Sequence, residues 1–205
     1  MTELDEALEN IAVIRHQMAR DSEFRGYGPA TLATTGVLAI LAAGAQAWWL
    51  EDPASAPGSY LILWVATAAV SAALVGIETV TRSRRVHSGL ADEMIWAVVE
   101  QFLPSAAAGA LLTVVLWRFA PASLWMLPGL WQIVFSLGVF ASRRFLPRPV
   151  FLIGVWYLAT GLACLAFAGG AAAFSPWAMG MPFGLGQLLV AAVLRHDLRR
   201  AADHG

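Results

Sequence analysis

Six long apolar runs constrain this chain more than any other feature. A helix that crosses a bilayer needs about 20 mostly apolar residues. Segments 30–50, 59–80, 94–117, 124–141, 150–168 and 177–194 each approach or meet that length. The rest of the composition agrees. Of 205 residues, 59% are hydrophobic and 13% charged, against about 25% charged in an average soluble domain. A soluble chain this apolar cannot cover its own surface with polar groups. Soluble enzymes, disordered proteins and nucleic-acid-binding domains are therefore disfavoured. The expected fold is all-α: a polytopic bundle of six transmembrane helices in residues 26–200, with the lipid bilayer as its surroundings.

The connections between runs are short and marked by Pro or Gly, as at Pro53, Pro121, Pro147, Pro149 and Gly169-Gly170. The fourth and sixth runs are short and contain Pro128 and Pro182. The third contains Pro104, where a kink is expected. Neighbouring helices can satisfy the backbone groups that a proline frees.

Arginine placement sets the expected orientation. Arg15, Arg20 and Arg25 precede the first run. Arg82, Arg84 and Arg85 separate the second from the third. Arg143, Arg144 and Arg148 separate the fourth from the fifth, and Arg195, Arg199 and Arg200 end the sixth. Only Arg118 falls on the other side. This positive-inside pattern implies a multi-pass protein of the bacterial inner membrane with both termini in the cytoplasm. Trp48, Trp49, Trp64, Trp117, Trp125 and Trp177 gather toward the opposite ends, as an aromatic belt at the headgroups would.

Residues 1–25 read as a cytoplasmic amphipathic helix, and 201–205 as a cytoplasmic tail. Leu4, Leu8, Ile11, Ile14 and Met18 follow helical spacing over residues 2–21. Acids come early and arginines late, which suits the helix dipole. This helix either lies against the membrane and the cytoplasmic loops or docks a protein partner. The acidic start is opposite to the basic region of a cleavable signal peptide.

Ionisable and amide groups inside a membrane are costly, so they are site candidates. Glu78 lies near the cytoplasmic end of the second run, with Glu100 and Gln101 nearly two turns into the third. With His87, Asp92 and Glu93 on the connecting loop, they outline an inward-facing acidic pocket for a proton or cation. The plainer alternative pairs each carboxylate with a nearby arginine, Glu78 with Arg82 one turn on. Gln132 and Gln187 fall near mid-membrane within echoing stretches, Pro128-Gly129-Leu130-Trp131-Gln132 and Pro182-Phe183-Gly184-Leu185-Gly186-Gln187. Proline-interrupted repeats build midplane sites in many transporters; interhelical hydrogen bonding by glutamine is the alternative.

Small or polar residues recur on one face of several runs. These faces are Thr35, Ala39, Ala42 and Gln46; Thr67, Ser71 and Glu78; Gly154, Tyr157, Gly161, Cys164 and Ala168; and Gly180, Gly184, Gln187 and Ala191. Such faces let helices approach closely, so Gly154, Gly161, Gly180 and Gly184 are expected packing positions. The Gly180 to Gly184 spacing suits packing within the chain as well as dimerisation.

The chain lacks lysine, which excludes a Schiff base or a lysine nucleophile. Its one cysteine, Cys164, rules out an intramolecular disulfide. No histidine falls inside a run, which disfavours a membrane b-type cytochrome. HExxH, GxSxG, Walker and potassium-filter sequences are missing. No enzyme activity, catalytic residue, metal site or cofactor is expected, and no direct nucleic-acid contact.

Ile14-Arg15-His16-Gln17-Met18-Ala19-Arg20, within residues 8–24, resembles the opening of a group of bacterial six-span proteins of unknown function. Leu127-Pro128-Gly129-Leu130-Trp131-Gln132, Gly184-Leu185-Gly186-Gln187 and Arg195-His196 look like the same group, whose members often occur beside winged-helix transcriptional regulators. The resemblance implies six helices and no catalytic residues. Two functional expectations follow. One is a non-enzymatic membrane protein that binds a small or lipophilic ligand, or a protein partner through residues 2–21, in a sensing or regulatory role. The other is a small homodimeric secondary transporter that uses Glu100 for proton or cation coupling.

Overall fold

The structure, a computed structural model, describes residues 28–86, 91–142 and 149–203. Within them run six α-helices: α1 (Pro29–Trp49), α2 (Pro57–Val86), α3 (Ala91–Phe119), α4 (Leu127–Ala141), α5 (Val150–Phe167) and α6 (Pro176–Asp203). Two 3-10 helices, Pro121–Met126 and Gly170–Phe174, precede α4 and α6. Six segments are long and apolar enough to cross a bilayer, and the protein is a multi-pass membrane protein with an all-helical fold. The expected amphipathic helix of residues 2–21 lies outside the described residues.

Local chemistry explains where the helices begin. Pro29, Pro57 and Pro176 open α1, α2 and α6. At a first turn the missing N–H has no helical partner to lose, and the fixed φ is already helical. The link from α1 to α2 is closed by Asp52, whose carboxylate accepts from the Ala54 N–H at 3.1 Å. Gly170 turns the chain out of α5 with φ +64°, a conformation that costs glycine nothing.

Consecutive spans alternate in direction. The starts of α1, α3 and α5 and the ends of α2, α4 and α6 therefore share one end of the bundle, here the near end. The opposite, far end carries Trp49, Pro57, Phe119, both 3-10 helices and Pro176.

The fourth span differs from the single helix expected over 124–141. The α-helix proper has 15 residues, about 22 Å at 1.5 Å per residue, short of the roughly 30 Å hydrocarbon core. The six-residue 3-10 segment before it supplies about 12 Å more at 2.0 Å per residue. The switch comes at Leu127, where Pro128 occupies the first α turn. Asp92 and Glu93, expected on a loop, fall instead inside α3. The α2 and α3 helices outrun their apolar segments, with 30 and 29 residues. Helical hydrogen bonding continues into the polar flanks because nothing there breaks it.

The tightest packing joins α1 to α6 and α4 to α5, and glycines make both crossings possible. A Cβ built on Gly36 would stand 2.9 Å from the Gly184 carbonyl oxygen, and Gly180 packs against Ala43. A Cβ on Gly161 would stand 2.8 Å from the Gly129 carbonyl, and one on Gly129 the same distance from the Gly161 carbonyl. Gly154 takes the Phe140 ring. The four expected packing glycines thus all serve contacts within the chain.

The main core sits toward the far end. Ala39, Ala43, Tyr60, Trp64, Leu127 and Phe174 are buried there together. Leu32, Ala191 and Leu194 form a smaller cluster at the near end. Burial is uneven: α1, α4, α5 and α6 bury 33–44% of their spanning residues, α2 11% and α3 none.

Candidate functional site

Each expected site residue has a definite place. Glu78 is half-buried, its carboxylate against Gly28 at the start of α1. Glu100 is exposed on α3, and Gln101 beside it is half-buried. Both carboxylates have interaction partners. Glu78 thus faces the entry to α1, whereas Glu100 lies on the helix with the least burial.

Gln132 is fully buried. Its Nε2 donates to the Ala178 carbonyl of α6 at 2.9 Å and to the Pro128 carbonyl at 3.1 Å. The first bond has a specific cause. Pro182 lies within α6 and has no N–H, so the Ala178 carbonyl four residues earlier loses its helical donor. Gln132 replaces that donor from a neighbouring helix, as expected where a proline interrupts a spanning helix. Its Oε1 has no hydrogen-bond partner.

Gln187 is half-buried on α6, with its Cβ toward Gly36 of α1. Its Oε1 and the Tyr157 hydroxyl are each buried without a hydrogen-bond partner. Tyr157 is enclosed by the Phe135 ring at 4.8 Å and the Phe183 ring at 5.1 Å. Gln132 and Gln187 do not meet. Ala178, which Gln132 contacts, is nine residues before Gln187, about 13 Å along the helix at 1.5 Å per residue.

A second polar lock was not singled out as a site from the sequence. Gln46 is 1% exposed. Its Nε2 donates to the Phe174 carbonyl at 2.7 Å, and its Oε1 accepts from the Trp64 indole at 2.8 Å. This ties α1 to α2 and to the second 3-10 helix. Trp64 is therefore a core residue at 3% exposure, not part of an interfacial belt. Trp48, Trp49, Trp117 and Trp177 are half to largely exposed at the far end. Gln46 shares a helical face with Thr35, Ala39 and Ala42, and all four are buried; that shared face was the signal for its role.

Between α5 and α6 an open groove of about 290 Å³ is lined by Trp156, Ala163, Cys164, Trp177, Met181 and Leu185, among others. Two of its hydrogen-bonding side chains are turned aside. The Trp156 indole donates to the Pro182 carbonyl at 3.1 Å. The Thr160 hydroxyl donates to the Trp156 carbonyl at 2.9 Å. What remains is an apolar surface suited to an apolar occupant. Neither Gln132 nor Gln187 lines it. Among the described residues, no group of three histidine, cysteine, aspartate or glutamate side chains is placed to hold a metal ion.

Compared with known proteins, the chain matches no family model, no curated protein and no solved structure.

Proposed function

We propose that this is a non-enzymatic protein of the bacterial inner membrane, with both termini cytoplasmic, that binds a lipophilic ligand within its spanning helices and relays that state through residues 2–21. The α5–α6 groove carries the reading, because it is an open groove along two spanning helices and its lining is almost wholly apolar. The intramembrane amides support it. Gln46 and Gln132 are spent on backbone carbonyls of the bundle, as structural residues are. The arginine distribution supports the orientation.

Hydrogen exchange in lipid nanodiscs tests the relay. Saturating the protein with the apolar dye N-phenyl-1-naphthylamine should change protection across residues 2–21. Dye binding with unchanged exchange there would sink the relay.

One observation favours the second reading, a homodimeric transporter coupled through Glu100. No residue in the spanning part of α3 is buried, and Glu100 is exposed at its start. Proton-coupled flux in proteoliposomes that disappears in Glu100→Gln is the outcome this reading requires.

A further inference from the structure

The groove between α5 and α6 has the dimensions of one particular occupant. Along α5 it runs from Trp156 to Ala168, and along α6 from Trp177 to Leu185. Those stretches are about 18 and 12 Å long at 1.5 Å per residue. Half of a roughly 30 Å hydrocarbon core is about 15 Å. The groove therefore spans close to one leaflet, beginning at the far end of the bundle. Trp177, 51% exposed, stands at its mouth, where an indole favours the headgroup layer. At the inner end the Trp156 ring is held by its bond to Pro182.

Volume gives a second measure. A closed apolar cavity of about 150 Å³ accommodates benzene, a six-carbon ring. The groove, about 290 Å³ and open along one side, offers more room than that ring needs. The length of the groove and its almost wholly apolar lining agree on a single alkyl chain.

We propose that the groove seats one acyl chain of a phospholipid drawn from the leaflet at the far end, its headgroup near Trp177. This deepens the lipophilic-ligand reading above and rests on it. The chain lies along Ala163, Cys164 and Met181. Phospholipid thereby becomes a specific ligand rather than a general solvent for these two helices.

Cys164 supplies a site-specific reporter, because the chain has no other cysteine and this one is free. In amphipol, which brings no free alkyl detergent, dilauroylphosphatidylglycerol should slow its reaction with N-ethylmaleimide at least fivefold. The chain-free headgroup, glycerophosphoglycerol, should not slow it. Equal protection by the headgroup, or none by the lipid, overturns the proposal. Native mass spectrometry adds an independent arm. Wild type should retain one phospholipid, Ala163→Trp should lose it at least tenfold, and Ala110→Trp on the exposed surface of α3 should keep it. Retention in Ala163→Trp, or equal loss in Ala110→Trp, also overturns it. Lipid seated at Cys164 with unchanged exchange over residues 2–21 would leave the site standing and the relay refuted. Altered exchange without Cys164 protection would do the reverse.

Discussion

Gln132 shows how one side chain closes a defect created by another. Pro182 removes an N–H from α6, and the amide of Gln132 reaches from α4 to the carbonyl left behind. Gln132→Leu strands that carbonyl in an apolar interior, where an unsatisfied acceptor costs about 1–3 kcal/mol; interhelical bonds in membranes fall at the lower end of that range. The expected loss is therefore about 1–2 kcal/mol, read as a lower unfolding midpoint in mild detergent. In a Pro182→Ala background the helix regains its own donor, so the same Gln132→Leu change should cost less than half as much. The double-mutant cycle reads that coupling directly. Additive losses would show that the Ala178 carbonyl is not where Gln132 acts. Gln46 does comparable work with both ends of its amide, which makes it a packing residue rather than a binding one.

Between helices, the decisive feature is how closely backbones approach. Gly129 and Gly161 bring α4 and α5 together so that a Cβ on either meets the other's carbonyl oxygen at 2.8 Å. Backbone cannot step aside as a flexible side chain can. Gly161→Ala should therefore destabilise by about 1–3 kcal/mol through overpacking. Gly76 on α2 is the internal comparison, since a Cβ there meets nothing within 4 Å. Gly76→Ala should be neutral or stabilise by up to about 1 kcal/mol, because it narrows the unfolded ensemble. Thermal unfolding of the two variants side by side checks the contrast. The Gly180 to Gly184 pair is also closely packed, against side chains rather than backbone. Its surface is already occupied by Ala43 and Ile40 of α1, so it is filled from within the chain.

At the scale of the molecule, the six spans divide into a packed group of four and a looser pair. Trp at exposed positions of that pair, such as Ala72 and Ala107, should change stability by less than about 0.5 kcal/mol, as surface substitutions usually do. Trp at Ala43, fully buried against α6, should abolish the folded protein. Light scattering on the first two variants also separates the functional readings. A homodimer joined through α2 and α3 would dissociate, whereas a protein whose α2 and α3 face lipid would keep its oligomeric state. Reporter fusions at both ends address orientation, with cytoplasmic signals expected from each.

The number of spans, their order and the inward faces of α1, α5 and α6 were legible in the sequence alone. Bilayer thickness sets the length of each apolar run, and helical periodicity sets which residues share a face. Both are local rules, readable within about twenty residues. Tertiary structure decided the partners. Gln46 bonds to Phe174 across 128 positions, and Gln132 to Ala178 across 46; no local pattern encodes either choice. The echo between the two proline–glutamine stretches suggested a shared midplane site, yet helix registry puts the two amides at different depths. The same registry moved Trp64 from an expected belt into the core, because Gln46 offers its indole an acceptor there. The groove between α5 and α6 was invisible in the sequence for the same reason. Its lining comes from two helices that meet only in space, where Trp156 bonds across to the Pro182 carbonyl and Thr160 back to its own helix.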